Sequence, residues 1–218
     1  MIEATYIDHM GSDLSVVNAA RVSFGKSHTE FDVVRDTKLI NYLAKHKHIS
    51  PFGHAFASFH VKAPIFVARQ LVKHKFLRWN EVSRRYVDDE PEFYVPDVWR
   101  GRSADKKQGS SDTTVDFLRM QGFSEQSVHD GTVKHQMHSL DLYRDMLTAG
   151  VAPEQARMIL PQSTMTEWYW SGSLDAFASM CQLRCKPDTQ YESRVVADQI
   201  SEKMLELFPV SWAALMDT

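Results

Sequence analysis

The chain has 218 residues, 43% of them hydrophobic and 24% charged, and carries a formal net charge of −3. That length suits one globular domain with a sizeable core, and no apolar run approaches the roughly 20 residues that a membrane span needs. The mildly acidic balance argues against a protein built wholesale for nucleic acid, and two cysteines cannot build a disulfide framework.

Met1 to Met10 carries acids and no apolar run, so it does not read as a secretory signal, and cysteines read as unpaired thiols lead to the expectation of a reducing, cytoplasmic compartment. Val33 to Lys45 predicts a helix, with Val34, Leu39, Ile40 and Leu43 close to one stripe. Ala55 to Lys62 alternates, with Ala55, Ala57, Phe59 and Val61 on one face, and predicts a strand. Pro64 suits a first helical turn, and Ile65 to Leu77 reads as a helix with Phe66, Val67, Leu71 and Val72 on its apolar side. Glu92 to Val95 is a short extended piece stopped by Pro96, and the charged, Ser-rich Gly101 to Asp112 predicts an exposed loop. Ser127 to Ala149 predicts a long helix ended by Gly150, and Pro153 opens another that Pro161 closes. Thr164 to Trp170 has strand composition, so Trp168-Tyr169-Trp170 is expected in a core strand. Ser173 caps a predicted helix to about Cys185, where both Cys181 and Cys185 read as core thiols. Thr189 to Phe208 is a last long helix, with a short one through Trp212. No internal repeat or long linker divides the chain. The expectation is a single α+β domain over residues 1–218, with a mixed sheet packed by long helices.

Positive charge is concentrated. Arg69, Lys73, Lys75, Arg78, Arg84 and Arg85 lie in one segment with a single acid, Glu81. The same segment holds Gln70, His74, Asn80 and Ser83. Cations grip phosphate, while amides and carboxylates donate or accept in fixed directions and so can hold a planar base. Composition alone leaves two other readings open: a solvated basic helix end, or a patch for RNA or DNA. Of the ten histidines, His46 with His48 and His135 with His138 are spaced as pairs, but no carboxylate or cysteine completes a ligand set, so no metal is expected.

Lys73-His74-Lys75, followed by seven residues and Ser83, resembles the R-H-R-x7-S signature of the flavin-dependent thymidylate synthases (ThyX). His48-Ile49-Ser50-Pro51-Phe52 and the run from His60 to Gln70 are similar to that family's upstream strand and helix. Ala156-Arg157-Met158-Ile159-Leu160-Pro161 resembles its A-R-x-x-L-P block, and Leu183-Arg184 with Gln190 and Glu192 its L-R…Q-x-E ending. The blocks stand in family order over most of the chain.

The resemblance implies FAD-dependent methylation of dUMP to dTMP, with methylenetetrahydrofolate as carbon donor and NADPH as reductant. Gln70, Lys73, Glu81, Ser83, Arg85, Arg157 and Arg184 would bind dUMP, and Arg184 would act on the uracil ring as the catalytic residue. His48, Ser50, Lys73, His74, Lys75 and Glu81 would contact FAD, as would Ser173, Asp175 and Ser179. It further implies a homotetramer with active sites shared between subunits, a folate partner, and neither nucleic acid nor membrane. The chain departs from the pattern at Lys73 and Lys75, which keep charge but lose the planar fork of arginine. Arg84 stands where the family commonly has a small residue. At Ser173, Asp175 and Ser179 the family often has Asn, Arg and Asn, so Asp175 reverses a charge. Those departures motivate an alternative, a sibling flavin and folate enzyme that modifies a pyrimidine nucleotide differently, for instance by hydroxymethylation. A nucleic-acid binding module is the remaining alternative.

Overall fold

The computed structural model describes residues 1–87, 89–104, 109–118 and 126–218. In chain order these form β1 (Glu3–Met10), α1 (Asp13–Arg21), α2 (Val33–Lys45), β2 (Phe56–Pro64), α3 (Ile65–Leu71) and β3 (Leu77–Glu81). The short strands β4 (Phe117–Leu118) and β5 (Gln126–Ser127) follow, then α4 (Val128–Thr148), α5 (Pro153–Ala156) and β6 (Met165–Ser173). The chain finishes with α6 (Leu174–Arg184), α7 (Tyr191–Leu207) and α8 (Pro209–Met216).

Alternation decides the sheet. Ala57, Phe59, Val61 and Ala63 of β2 are buried, as are Trp168 and Trp170 of β6, and the two strands pair antiparallel from Phe56–Ser173 to Pro64–Met165. Trp79 of β3 stacks on Trp168, ring centroids 4.3 Å apart. The opposite face is polar: Ser58 and Ser171 share a 2.8 Å hydrogen bond, His60 Nε2 lies 3.0 Å from a Glu167 carboxylate oxygen, and Tyr169 is exposed. The tryptophans are therefore core residues, as read from the sequence.

The strand order is β1-β2-β6-β3, and every pairing is antiparallel, so the sheet is not the mixed one expected within the α+β class. A parallel pair needs a crossover returning to the opposite end of the strand. Here the connection through α1 and α2 leaves β1 at Met10 and re-enters β2 at Phe56, and those two residues pair.

Helix α2 has the predicted limits. The Asp32 carboxylate accepts from the N–H groups of Val34 and Arg35 at 3.1 and 2.9 Å, and Ile40, Leu43 and Ala44 are buried. Val34, expected on the stripe, is exposed in the first turn. α4 starts after Ser127, whose hydroxyl accepts from Asp130 N–H at 3.3 Å, and stops at Gly150, whose φ of +85° suits glycine.

The helix predicted to Leu77 ends at Leu71. The chain turns through Lys73 to Phe76, which has a φ of +65°, and re-enters the sheet as β3. Leu77 and Trp79 face the core and Arg78 and Asn80 face away, an alternation only four residues long and so easily absorbed into the preceding helix. Strand β1 and helix α1 were not foreseen either. β1 is an edge strand on which only Ala4 and Tyr6 are partly buried, so its period is weak.

In the stretch Gly101 to Asp112, residues 105–108 lie outside the described residues. The flanks are not loose: Gly101 is buried, its N–H donates to Thr113 C=O at 2.7 Å, and its carbonyl accepts from Ser111 N–H at 2.9 Å.

Helices α6, α7 and α8 close the core with Phe177, Met180, Cys181, Val196, Ile200, Met204 and Trp212. Asp13 of α1 ties α8 down by accepting from Val210 and Ser211 N–H at 3.0 and 2.8 Å. Ser173 is the N-cap residue of α6, although its side chain makes no capping hydrogen bond. Cys181 is buried and Cys185 half-buried, both free; burial pushes the Cys181 thiol up, reinforced by Cys185. Among the described residues no helix is long and apolar enough to cross a membrane.

Candidate active site

A cavity of about 640 Å³ opens between α3, α7 and the strap that follows Tyr94. Its walls are aromatic and apolar (Phe66, Tyr94, Pro96, Val98, Trp99 and Tyr191), and into them reach Gln70, Arg100, Arg184, Gln190 and Glu192. Few polar groups converging on an apolar cleft is the usual form of a small-molecule site.

Arg184, the last residue of α6, is half-buried, and burial lowers its pKa below the ordinary arginine value. Its Nε donates to His74 Nε2 at 3.0 Å. Burial, then the neighbouring Arg184 charge, lower the His74 pKa to about 4. The imidazole is thus neutral at pH 7, accepting at Nε2 and protonated at Nδ1. Unfolded His74 takes a proton below about 6.5, while the folded residue resists until about 4. Stability should therefore fall as pH drops through that window. Comparing urea midpoints of wild type and His74→Gln across it checks this, since the variant should lack that part of the slope.

Tyr94 is pushed up to about 12, by burial and then by the Glu192 charge, so its hydroxyl keeps its proton. Glu192 is buried and bridged to Arg100, whose guanidinium lies 4.5 Å from the Tyr191 ring centroid.

Some of the predicted site residues fall into two groups. Gln70 and Arg184 line the cavity, with His74 against Arg184. A second group gathers at Glu154: Arg85 Nε lies 3.8 Å from its carboxylate, and Arg157 Nε donates to its backbone carbonyl at 3.2 Å. Ser83 belongs with them, accepting from Arg85 N–H at 3.3 Å. Glu81, at the end of β3, accepts from Thr166 Oγ1 at 2.8 Å and from Trp79 Nε1 at 3.1 Å. Ser83, Arg85, Glu81 and Arg157 are not in the described lining of the cavity.

The remaining predicted residues lie outside both groups, and of these Ser173 and Asp175 sit beside the 3-10 turn Ser50–His54. A β-carbon on Gly53 would lie 3.9 Å from Asp175 Oδ1, and Ser173 pairs with Phe56. Ser179 is exposed further along α6. His48 is exposed and forms a ring cluster with Tyr42 and His46, with centroids 4.3 to 6.4 Å apart. Lys73 and Lys75 are exposed, with no ion pair among the described residues. Asp175 Oδ1 is buried without a hydrogen-bond partner.

Exposed cations, a ring cluster and a buried acceptor short of a donor are groups of the kinds that a flavin nucleotide can use. The charge of Asp175 suits a hydroxyl or N–H rather than a phosphate.

Sequence reasoning missed Tyr94, Trp99 and Arg100. Their signal was present: Phe93 and Tyr94 stand between Pro91 and Pro96, and Trp99 is followed directly by Arg100.

Fold and site thus define an α+β protein that offers cations and amides from distant segments around an aromatic cleft. The family model described as "Thymidylate synthase complementing protein" (Thy1) matches residues 5–210, and the chain belongs to that family. It is 39% identical over 208 residues to a flavin-dependent thymidylate synthase of Thermus thermophilus, covering 95% of this chain and 73% of the relative. To that of Kosmotoga olearia it is 38% identical over 211 residues, covering 97% and 88%. Among solved structures, the UMP/dUMP methylase PolB from Streptomyces cacaoi, bound with 5-Br dUMP, aligns with a TM-score of 0.85 at 30% identity. That alignment covers 100% of this chain and 95% of PolB.

Proposed function

We propose that this chain is a flavin-dependent thymidylate synthase that methylates dUMP to dTMP, taking the carbon from methylenetetrahydrofolate and electrons from NADPH. The carrying observation is Arg184, a half-buried guanidinium beside a neutral imidazole, at a cavity of nucleotide size in a member of this family. Gln70, Lys73, Glu81, Ser83, Arg85 and Arg157 would bind dUMP together with Arg184. FAD would be held by His48, Ser50, Lys73, His74, Lys75 and Glu81, with Ser173, Asp175 and Ser179 at its α6 end. When bound and reduced, the flavin supplies the hydride, so no protein nucleophile is needed. That agrees with a Cys181 thiol buried in the core.

Arg184 stabilises the negative charge that develops on the pyrimidine. His74 leaves that cation uncompensated, because a neutral imidazole accepts its N–H without cancelling its charge. The Arg85 and Arg157 guanidiniums, exposed and 3.8 Å or less from Glu154 atoms, suit a phosphate brought to them from another copy of the chain. A homotetramer with shared sites would bring the groups together. Two free thiols suit a reducing cytoplasm.

Protein given FAD, NADPH and methylenetetrahydrofolate should release tritium from 5-labelled dUMP and yield dTMP by mass spectrometry. No release under reducing conditions would contradict the proposal. The reversed charge at Asp175 favours one second reading, a sibling enzyme with a different pyrimidine product. A hydroxymethyl mass in place of the methyl mass would establish it.

A further inference from the structure

Three side chains behind Gln70 form a relay with a fixed electrical polarity. Glu192 is buried, and Arg100 donates from Nη2 to its Oε1, so the carboxylate is ionised and can only accept. Its Oε2 accepts from Gln190 Nε2 at 3.3 Å. The amide of Gln190 is thereby oriented: with its nitrogen on Glu192, its oxygen is left for Gln70, and Gln70 Nε2 donates to it at 3.1 Å. Gln70 is oriented in turn. Its nitrogen is engaged by Gln190, and its Oε1 remains, buried and without a hydrogen-bond partner, on a residue of the cavity wall. An amide by itself presents oxygen or nitrogen with equal ease, so the choice here comes from a carboxylate two residues removed along the chain of hydrogen bonds.

We propose that Arg100, Glu192 and Gln190 are positioning residues that fix Gln70 as an acceptor toward the cavity, and that Gln70 Oε1 receives a hydrogen-bond donor of the pyrimidine nucleotide. This rests on the reading of the cavity as a nucleotide site. Two donors of dUMP have the required chemistry, the N3–H of the base and the 3′-hydroxyl of the sugar. Unlike direct contacts, the relay acts from behind, and Arg100 comes from a strap that joins it across 92 residues of sequence. Stacking over Tyr191 keeps the guanidinium in place.

The relay makes a prediction that a merely structural role does not. Glu192→Gln keeps the shape but lets both amides turn over, and should weaken dUMP binding about tenfold, roughly one hydrogen bond between neutral groups. Gln70→Glu sets an oxygen against Gln190 Oε1 and should weaken it at least as much. In the double variant, Gln70→Glu with Glu192→Gln, the relay can run in reverse while residue 70 still offers an oxygen to the cavity. Binding should then recover relative to Gln70→Glu alone.

Dissociation constants for dUMP, N3-methyl-dUMP and 3′-deoxy-dUMP are measured by calorimetry on the folded FAD-loaded protein, with flavin absorbance and melting temperature recorded for each variant. One of the two analogues should bind weakly to wild type, and lose that deficit in Glu192→Gln. Wild type that binds no dUMP would sink the nucleotide reading itself. Wild type that binds dUMP, with Glu192→Gln binding it equally well or with no recovery in the double variant, would overturn the relay alone. Equal binding of all three ligands by wild type would overturn the assigned donor.

Discussion

Arg184→Ala is expected to lose at least a hundredfold in tritium release from 5-labelled dUMP while keeping most of its flavin colour. The size follows from removing a positive charge from a partly desolvated site where charge develops, worth about 3 kcal/mol or more. Burial matters twice. It depresses the Arg184 pKa by withdrawing solvent from the guanidinium, and the same lack of solvent strengthens its action on a nearby anion. Arg184→Lys should recover little, because an ammonium cannot reproduce both the planar fork and the 3.0 Å bond from Nε to His74. Flavin retention separates this outcome from a general collapse of the site, since the residues assigned to FAD lie on the turn from Lys73 and around Ser50 and Asp175. Near-normal turnover in Arg184→Ala would break the assignment of the catalytic role.

Asp36→Ala should destabilise the fold by about 3 kcal/mol or more, the usual cost of leaving one partner of a buried ion pair uncompensated. Asp36 is fully buried in α2 and takes Arg21 Nη2 at 2.6 Å on one oxygen and Asp32 N–H at 2.9 Å on the other. Burial pushes its carboxyl up, but the Arg21 and Asp32 hydrogen bonds prevail and hold it below its ordinary value of 3.8. A depressed carboxylate contributes stability above the unfolded pKa and loses it as pH falls through the folded one. Wild type should therefore lose this contribution below about pH 3.8, and the Ala variant should have none to lose. Urea titration of both proteins at neutral and acid pH measures the difference. A variant within about 1 kcal/mol of wild type would show that the pair is as weak as exposed ones are.

Much of the fold was legible because its strongest periods are local. Val33–Lys45 has its cap at Asp32 and buries Ile40, Leu43 and Ala44, and the alternation through Phe59 and Val61 names the core strand. The errors fell where tertiary pairing overrides local composition. α3 ends after Leu71 because Leu77 and Trp79 are worth more against Gly172 and Trp170 in the sheet than in another helical turn. Gly172 leaves room for this approach: a β-carbon there would lie 2.4 Å from Leu77 Cδ2 and 3.2 Å from the Phe76 carbonyl oxygen, so Leu77 would have to shift. In the site, the residue types were readable and the enclosure was not. Gln70, His74 and Arg184 stand out as chemistry, whereas Tyr94, Trp99 and Arg100 gain meaning only when the strap meets α7 at Glu192.

The visible absorption spectrum of the purified protein with FAD, taken before and after adding dUMP, tests the central claim most directly. A protein that holds a pyrimidine nucleotide against its flavin should be yellow and should shift its flavin band on titration with dUMP. A protein that stays colourless with FAD, or whose bound flavin ignores saturating dUMP, would contradict it.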